Sequence, residues 1–184
     1  MKKATKFLLG AAGTALAAGA GVILARAALY RPGPELRAGS DEVSVDYDHV
    51  VESLREMIRC KTVSSADPAN EDAAEFDKFR AYLKERYPTL AEKCSPERIG
   101  RCGVLYTWRG KSGDRPTVLM AHYDVVPADG EGWDEPPFEG VLREGIIWGR
   151  GALDTKVTLC AIMEAAEQLI NEGFVPENDI YLAF

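Results

Sequence analysis

Two short acidic segments carry the residues of this sequence that can do chemistry. In the first, Ala121-His122-Tyr123-Asp124-Val125-Val126-Pro127, a histidine and an aspartate stand two apart at the end of the apolar run Thr117–Met120. Residues two apart on an extended chain point to the same side. The Asp124 carboxylate can therefore accept from one imidazole nitrogen of His122 while the other nitrogen faces a metal. A carboxylate behind a histidine fixes the ring's tautomer and raises its basicity toward a cation. By itself the pattern is equally that of an ordinary surface pair. Its position sharpens it, because functional loops of α/β sheets gather at the carboxyl ends of strands.

The second segment, Gly149-Arg150-Gly151-Ala152-Leu153-Asp154-Thr155-Lys156, opens directly into a long apolar stretch. Asp154 reads either as a helix N-cap or as a second metal ligand meeting His122 across the gap between the two loops. A cap alone does not account for the two glycines before it, which suggest a close backbone approach or a positive φ. Lys156 reads either as a solvated helix residue or as a partner for acidic ligands. Competing chemistries lack their motifs. Ser64-Ser65 has no G-x-S-x-G setting, and neither a P-loop nor a dinucleotide fingerprint is present.

The elements that must hold these loops follow from periodicity. Val50, Val51, Leu54, Met57 and Ile58 recur at helical spacing over Tyr47–Cys60; His49, near its start, reads as a surface histidine. A second helix, with Asn70 as its N-cap, carries Phe76, Phe79 and Leu83 on one face and ends before Pro88. Ile99–Trp108 and Thr117–His122 read as strands joined by a turn over Arg109–Asp114. The unbroken Val118-Leu119-Met120 predicts a central strand covered on both faces. Val141–Arg143 and Ile146–Trp148 predict a hairpin around Glu144-Gly145. Between them and the second strand, Trp133 and Phe138 stiffen a loop and read as loop packing or as the wall of an apolar entrance. Thr155–Asn171 predicts a helix stopped by Gly173, and Asp179–Phe184 another strand. The fold class expected is α/β, with helices packed on a mostly parallel or mixed sheet.

Length and composition bound the partners. The chain has 184 residues, 46% apolar and 28% charged, with a net charge of −7. That allows one ordinary domain and argues against nucleic acid, which needs a clustered basic surface. Residues 1–29 stand apart. Lys2, Lys3 and Lys6 precede an uncharged Ala/Gly-rich run, Phe7–Ala25, near the length of a bilayer-spanning helix. This is the pattern of a signal or signal-anchor, with residues 30–42 as a Pro- and Gly-containing linker and 43–184 as the globular portion. Either form predicts a membrane-anchored or secreted protein whose globular part is extracytoplasmic. Cys60, Cys94, Cys102 and Cys160 form no C-x-x-C pair. Cys94 and Cys102 are either two free thiols or a bridge across a turn, and Cys160 reads as core packing.

In combination these residues resemble a known family. The series His122 to Pro127, Gly132-Trp133, Pro136-Pro137-Phe138 and Gly149-Arg150-Gly151-Ala152 with Asp154 and Lys156 is similar to the dinuclear-zinc aminoacylase and carboxypeptidase family. It resembles most the carboxypeptidase S-like, N-acyl amino acid hydrolase-like branch. The resemblance implies a zinc-exopeptidase-like catalytic domain, a pair of zinc ions and hydrolysis of an amide bond in a small peptide or N-acyl amino acid. It implies that His122 binds one zinc, that Asp154 bridges two and that Asp124 orients His122. It also implies a Glu-Glu pair supplying the general base and another ligand, later acidic and histidine ligands, and a smaller lid or dimerisation domain. None of these is present, and His49 is the only other histidine. Two ligands do not fill a tetrahedral zinc site. The expectation is an amino-terminal portion of such a hydrolase, inactive alone. The alternatives are a membrane-anchored, non-catalytic binding module and a diacid deacylase such as a desuccinylase.

Overall fold

The computed structural model describes residues 17–31 and 44–184. The chain divides into two units, Met1–Val43 and Ser44–Phe184. In the first, helix α1 covers residues 17–29; most of the expected signal run and nearly all of the expected linker lie outside the described residues. Among the described residues no helix is long and apolar enough to cross a membrane.

The second unit begins with α2 (Tyr47–Arg59), whose N-cap Asp46 accepts from the His49 amide at 3.0 Å. Its inward residues Leu54, Met57 and Ile58 are buried, as the periodicity predicts. Asn70 does not cap the next helix. It lies in a 3₁₀ turn, Pro68–Asn70, capped by Asp67, and α3 (Ala73–Arg86) is capped instead by Asp72. An aspartate just before the periodic run fits the cap better than an asparagine two residues earlier, because the carboxylate reaches the Ala74 amide at 3.0 Å. Phe76, Phe79 and Leu83 are buried on one face of α3. Pro88 does not only end that helix: it opens another, α4 (Pro88–Cys94), at the first position, where a missing N–H costs nothing.

Strand β1 (Glu97–Ile99) turns through Gly100 into β2 (Gly103–Trp108), where Val104, Tyr106 and Trp108 alternate into the core. β3 (Ser112–Met120) starts inside the expected turn and ends two residues before His122. β4 (Val141–Arg143) and β5 (Ile146–Trp148) form the expected hairpin. Its turn residues Glu144 and Gly145 have φ of 54° and 79°, the pair of positive values a two-residue hairpin turn prefers. Helix α5 (Val157–Asn171) buries Leu159, Cys160, Met163 and Ala166. It stops at Gly173, whose positive φ lets the Phe174 amide return to the Leu169 carbonyl at 2.9 Å. β6 (Asn178–Ala183) completes a sheet of order β1-β2-β6-β3, antiparallel except for the β3–β6 pair.

The sheet is thus mixed and the class α/β, as expected. The place of β3 is not. It is last in the order of the described strands, and Val118 and Met120 keep 52% and 71% of their surface exposed. An unbroken apolar run reports how well a strand can be covered, not how many neighbours cover it. All four cysteines are free thiols; Cys60, Cys94 and Cys160 are buried and Cys102 is partly so, which sets aside the Cys94–Cys102 bridge.

Candidate metal centre

The loop after β3 continues as an extended segment clamped to the chain that leaves α2. The Val125 amide donates to Thr62 O at 2.8 Å, the Ser64 amide to Val125 O at 3.0 Å, and the Thr62 hydroxyl to Tyr123 O. Alternation then sorts the side chains: Tyr123 and Val125 are buried, while His122 and Asp124 project outward together. Tyr123 anchors the loop. Its ring stacks parallel on Phe79 at 4.4 Å, and its hydroxyl donates to Cys102 O and accepts from Arg80 at 2.9 Å.

The second loop approaches from the other side. Gly149 and Gly151 are where they are for the two reasons the sequence suggests. A Cβ on Gly149 would lie 2.5 Å from Ile58 Cγ2, and Gly151 has φ +80° with its Cβ position 2.7 Å from Val125 Cγ1. Gly151→Ala is therefore expected to cost about 3 kcal/mol, from a left-handed backbone and an overpacked contact together. Gly145→Ala, at a similar φ of +79° but facing open space, supplies the comparison in urea unfolding. Equal losses in the two variants would mean that the Val125 contact is not a constraint.

Asp154 is not an N-cap. The cap position of α5 falls to Lys156, no side-chain cap opens that helix, and the Asp154 carboxylate is 84% exposed. What it meets is His122: Nε2 lies 3.2 Å from Asp154 Oδ1. On the other side of the ring, Nδ1 lies 3.0 Å from Asp124 O and 3.1 Å from Asp124 Oδ1. Both ring nitrogens face acceptors, so the protonated ring donates to both aspartates; in the neutral ring the two acceptors at Nδ1 favour the proton there and turn the Nε2 lone pair toward Asp154. Thr155 locks the two loops, its Oγ1 accepting from the His122 amide at 3.0 Å and donating to the His122 carbonyl at 2.9 Å. Burial of the ring opposes its protonation and is the largest single influence. The Asp124 carbonyl, the Asp154 hydrogen bond and the two negative charges outweigh it, and the imidazole pKa sits above its usual value.

A cavity of about 200 Å³ opens beside these side chains, lined by His122, Asp124, Val126, Arg150, Leu153 and Asp154 among others. Trp133 and Phe138 do not line it. Arg150 lies over the Trp133 ring at 4.8 Å and Lys61 over the Phe138 ring at 5.9 Å, so both serve loop packing. Neither expectation for Lys156 holds. It is fully buried, and its ammonium donates to Met57 O and Cys60 O, both at 2.8 Å, at the carboxyl end of α2. Burial brings its pKa down to about 8. His49 is a surface residue, 3.5 Å from Glu164 and away from the loops.

The donor set suits a metal such as zinc in kind, one imidazole nitrogen opposite one carboxylate. It does not suit it in number. Among the described residues no group of three or more histidine, cysteine, aspartate or glutamate side chains could hold a metal ion. Thr155 and Tyr123 are the residues the sequence reading missed. The alternation of His122 to Val125 already placed Tyr123 inward, whereas nothing local marks Thr155.

The fold so described is shared with about a third of each of two solved peptidase structures. The M20 family metallo-carboxypeptidase Sso-CP2 from Sulfolobus solfataricus overlays with a TM-score of 0.57 at 23% identity, over 76% of this chain and 30% of that one. The dipeptidase Dug1p from Saccharomyces cerevisiae overlays with a TM-score of 0.59 at 19% identity, over 74% and 31%. At such identities the likeness concerns the fold alone.

Residues 118–184 match the family described as peptidase family M20/M25/M40. The bovine (Bos taurus) N-fatty-acyl-amino acid synthase/hydrolase PM20D1 is 36% identical over 135 residues, which cover 72% of this chain and 27% of that protein. Carboxypeptidase S of Saccharomyces cerevisiae is 35% identical over 144 residues, 72% of this chain and 25% of that protein. Residues 118–184 thus belong to the M20 peptidases, the chain's relatives include carboxypeptidase S, and the chain spans about a quarter of the length of these curated relatives.

Proposed function

We propose that this chain is the amino-terminal part of a metal-dependent hydrolase that cleaves an amide bond, in an N-acyl amino acid or at the carboxyl end of a small peptide. The observation that carries the reading is the meeting of His122 Nε2 with Asp154 Oδ1 at 3.2 Å across two loops, with Asp124 behind the ring. His122 and Asp154 would be ligands in a site for two zinc ions, and Asp124 would hold the ring in the tautomer that leaves Nε2 unprotonated toward the metal. When bound, zinc supplies a Lewis acid that polarises the scissile carbonyl and lowers the pKa of water. Thr155 keeps the two ligand loops at a fixed separation, and the 200 Å³ cavity beside them gives the substrate its approach. The basic head and apolar run at residues 2–25 support a membrane-anchored or secreted protein with this site outside the cytoplasm.

Two ligands fall short of the four that zinc takes, so the 184-residue chain alone is expected neither to retain two zinc ions nor to turn over substrate. Metal analysis after dialysis, together with release of free amino acid from N-acyl amino acids and small peptides, checks this. Two bound zincs with hydrolysis by the isolated chain would sink the incomplete-site reading. The full-length protein is expected to hydrolyse such substrates in a chelator-sensitive way, and its failure on both classes would sink the hydrolase reading.

A further inference from the structure

Both ligand loops rest on one buried group of side chains. Lys156 follows Asp154 by two residues and is wholly buried, an expensive position for an ammonium group unless it is hydrogen-bonded. It is: the Met57 and Cys60 carbonyls accept from it at 2.8 Å each, at the end of α2 where the helix dipole is negative. The same ammonium lies 5.4 Å from the centre of the Phe79 ring, within reach of a cation–π attraction. Phe79 in turn stacks parallel on Tyr123 at 4.4 Å, and Tyr123 stands between His122 and Asp124. The two loops are therefore joined twice, above by the Thr155–His122 hydrogen bonds and below through Lys156, Phe79 and Tyr123.

We propose that Lys156, with Phe79 and Tyr123, is a positioning device that sets the separation of the His122 and Asp154 arms. Its importance to catalysis rests on the hydrolase reading; its geometry does not. A methionine at position 156 would fill the same space without a buried charge. It would also leave the α2 carbonyls unpartnered and cut the tie between the Asp154 turn and Phe79. A role confined to general stability would loosen the whole unit in proportion, whereas a positioning role loosens the junction of the arms selectively.

Amide hydrogen exchange in the metal-free 184-residue chain separates the two. The reporter is the His122 amide, held by Thr155 Oγ1; the references are the Val104 and Phe184 amides, which pair with each other's carbonyls in the sheet at 2.8 and 2.9 Å. In Lys156→Met the His122 amide is expected to exchange at least about tenfold faster while the references keep their rates, the mark of a local opening. Should that variant fail to fold, Phe79→Leu must give the same selective loss. Unchanged exchange at His122, or acceleration in step with Val104 and Phe184, would overturn the proposal. Because neither metal nor substrate enters the measurement, its failure leaves the hydrolase reading intact, and failure of the zinc and turnover assays leaves this one standing.

Discussion

Replacing His122 by alanine in the full-length protein is expected to abolish chelator-sensitive hydrolysis while leaving the fold intact. The ring is half exposed, and its three polar contacts all go to Asp124 and Asp154. Deleting it removes the proposed metal ligand and no residue of the core, so urea unfolding of the variant should match that of the parent within about 0.5 kcal/mol. Asp124→Ala tests a different role. It leaves the Nε2 donor in place but removes the carboxylate that orients Nδ1, and loss of such an orienting partner costs about 10–100-fold in metal affinity or activity. The order of the two effects is the prediction: complete loss for His122, partial loss for Asp124. Activity retained in His122→Ala would exclude it as a ligand, and unchanged kinetics in Asp124→Ala would exclude the orienting role.

How far the sequence could be read depended on whether a residue's environment is local. The Val141–Trp148 hairpin was legible to the residue, because its turn chemistry and its strands are neighbours in sequence. So was the pairing of His122 with Asp124, since alternation along an extended chain is a local rule. The glycines before Asp154 were legible as a requirement for space or positive φ, although their partners, Ile58 and Val125, were not. Of the two readings of Asp154 the cap did not hold and the meeting with His122 did, and neither reading of Lys156 held. The Val118–Met120 run, read as a central strand, stands last in the order of the described strands. In each case the outcome was decided by what lies across the fold: His122 for Asp154, the neighbouring strands for β3, and the α2 carbonyls for Lys156.

The same distinction explains why the half-site is well built although it holds too few ligands for zinc. The geometry of the His122 and Asp154 arms is fixed by contacts within the chain: the pairing of β3 with β6, which ends in the Ala121 amide donating to Ala183 O at 3.3 Å, the Thr62–Ser64 clamp, the Thr155 lock and the Phe79 contacts. None of these contacts requires a metal. Pre-formed arms lower the ordering cost of binding, so further ligands would meet donors already in place.

Phe79→Ala is the substitution expected to damage the fold most. The residue is fully buried in the shared core of α2, α3, α4, α5 and the sheet, and removing a buried phenylalanine ring costs about 3–5 kcal/mol through lost transfer energy and the cavity left behind. Leu90, on α4, is equally buried, so Leu90→Ala, at about 2–5 kcal/mol, is the comparison. In Phe79→Ala the Tyr123 ring loses its parallel partner and the Lys156 ammonium loses the ring beside it, two aromatic contacts each worth on the order of 1 kcal/mol. The expected result in urea unfolding is a loss at the upper end of the range, with the Tyr123 ring signals in the NMR spectrum changing before the main transition. A loss no larger than that of Leu90→Ala, with Tyr123 still buried until global unfolding, would mean that Phe79 is ordinary core and that the two arms are held together by Thr155 alone.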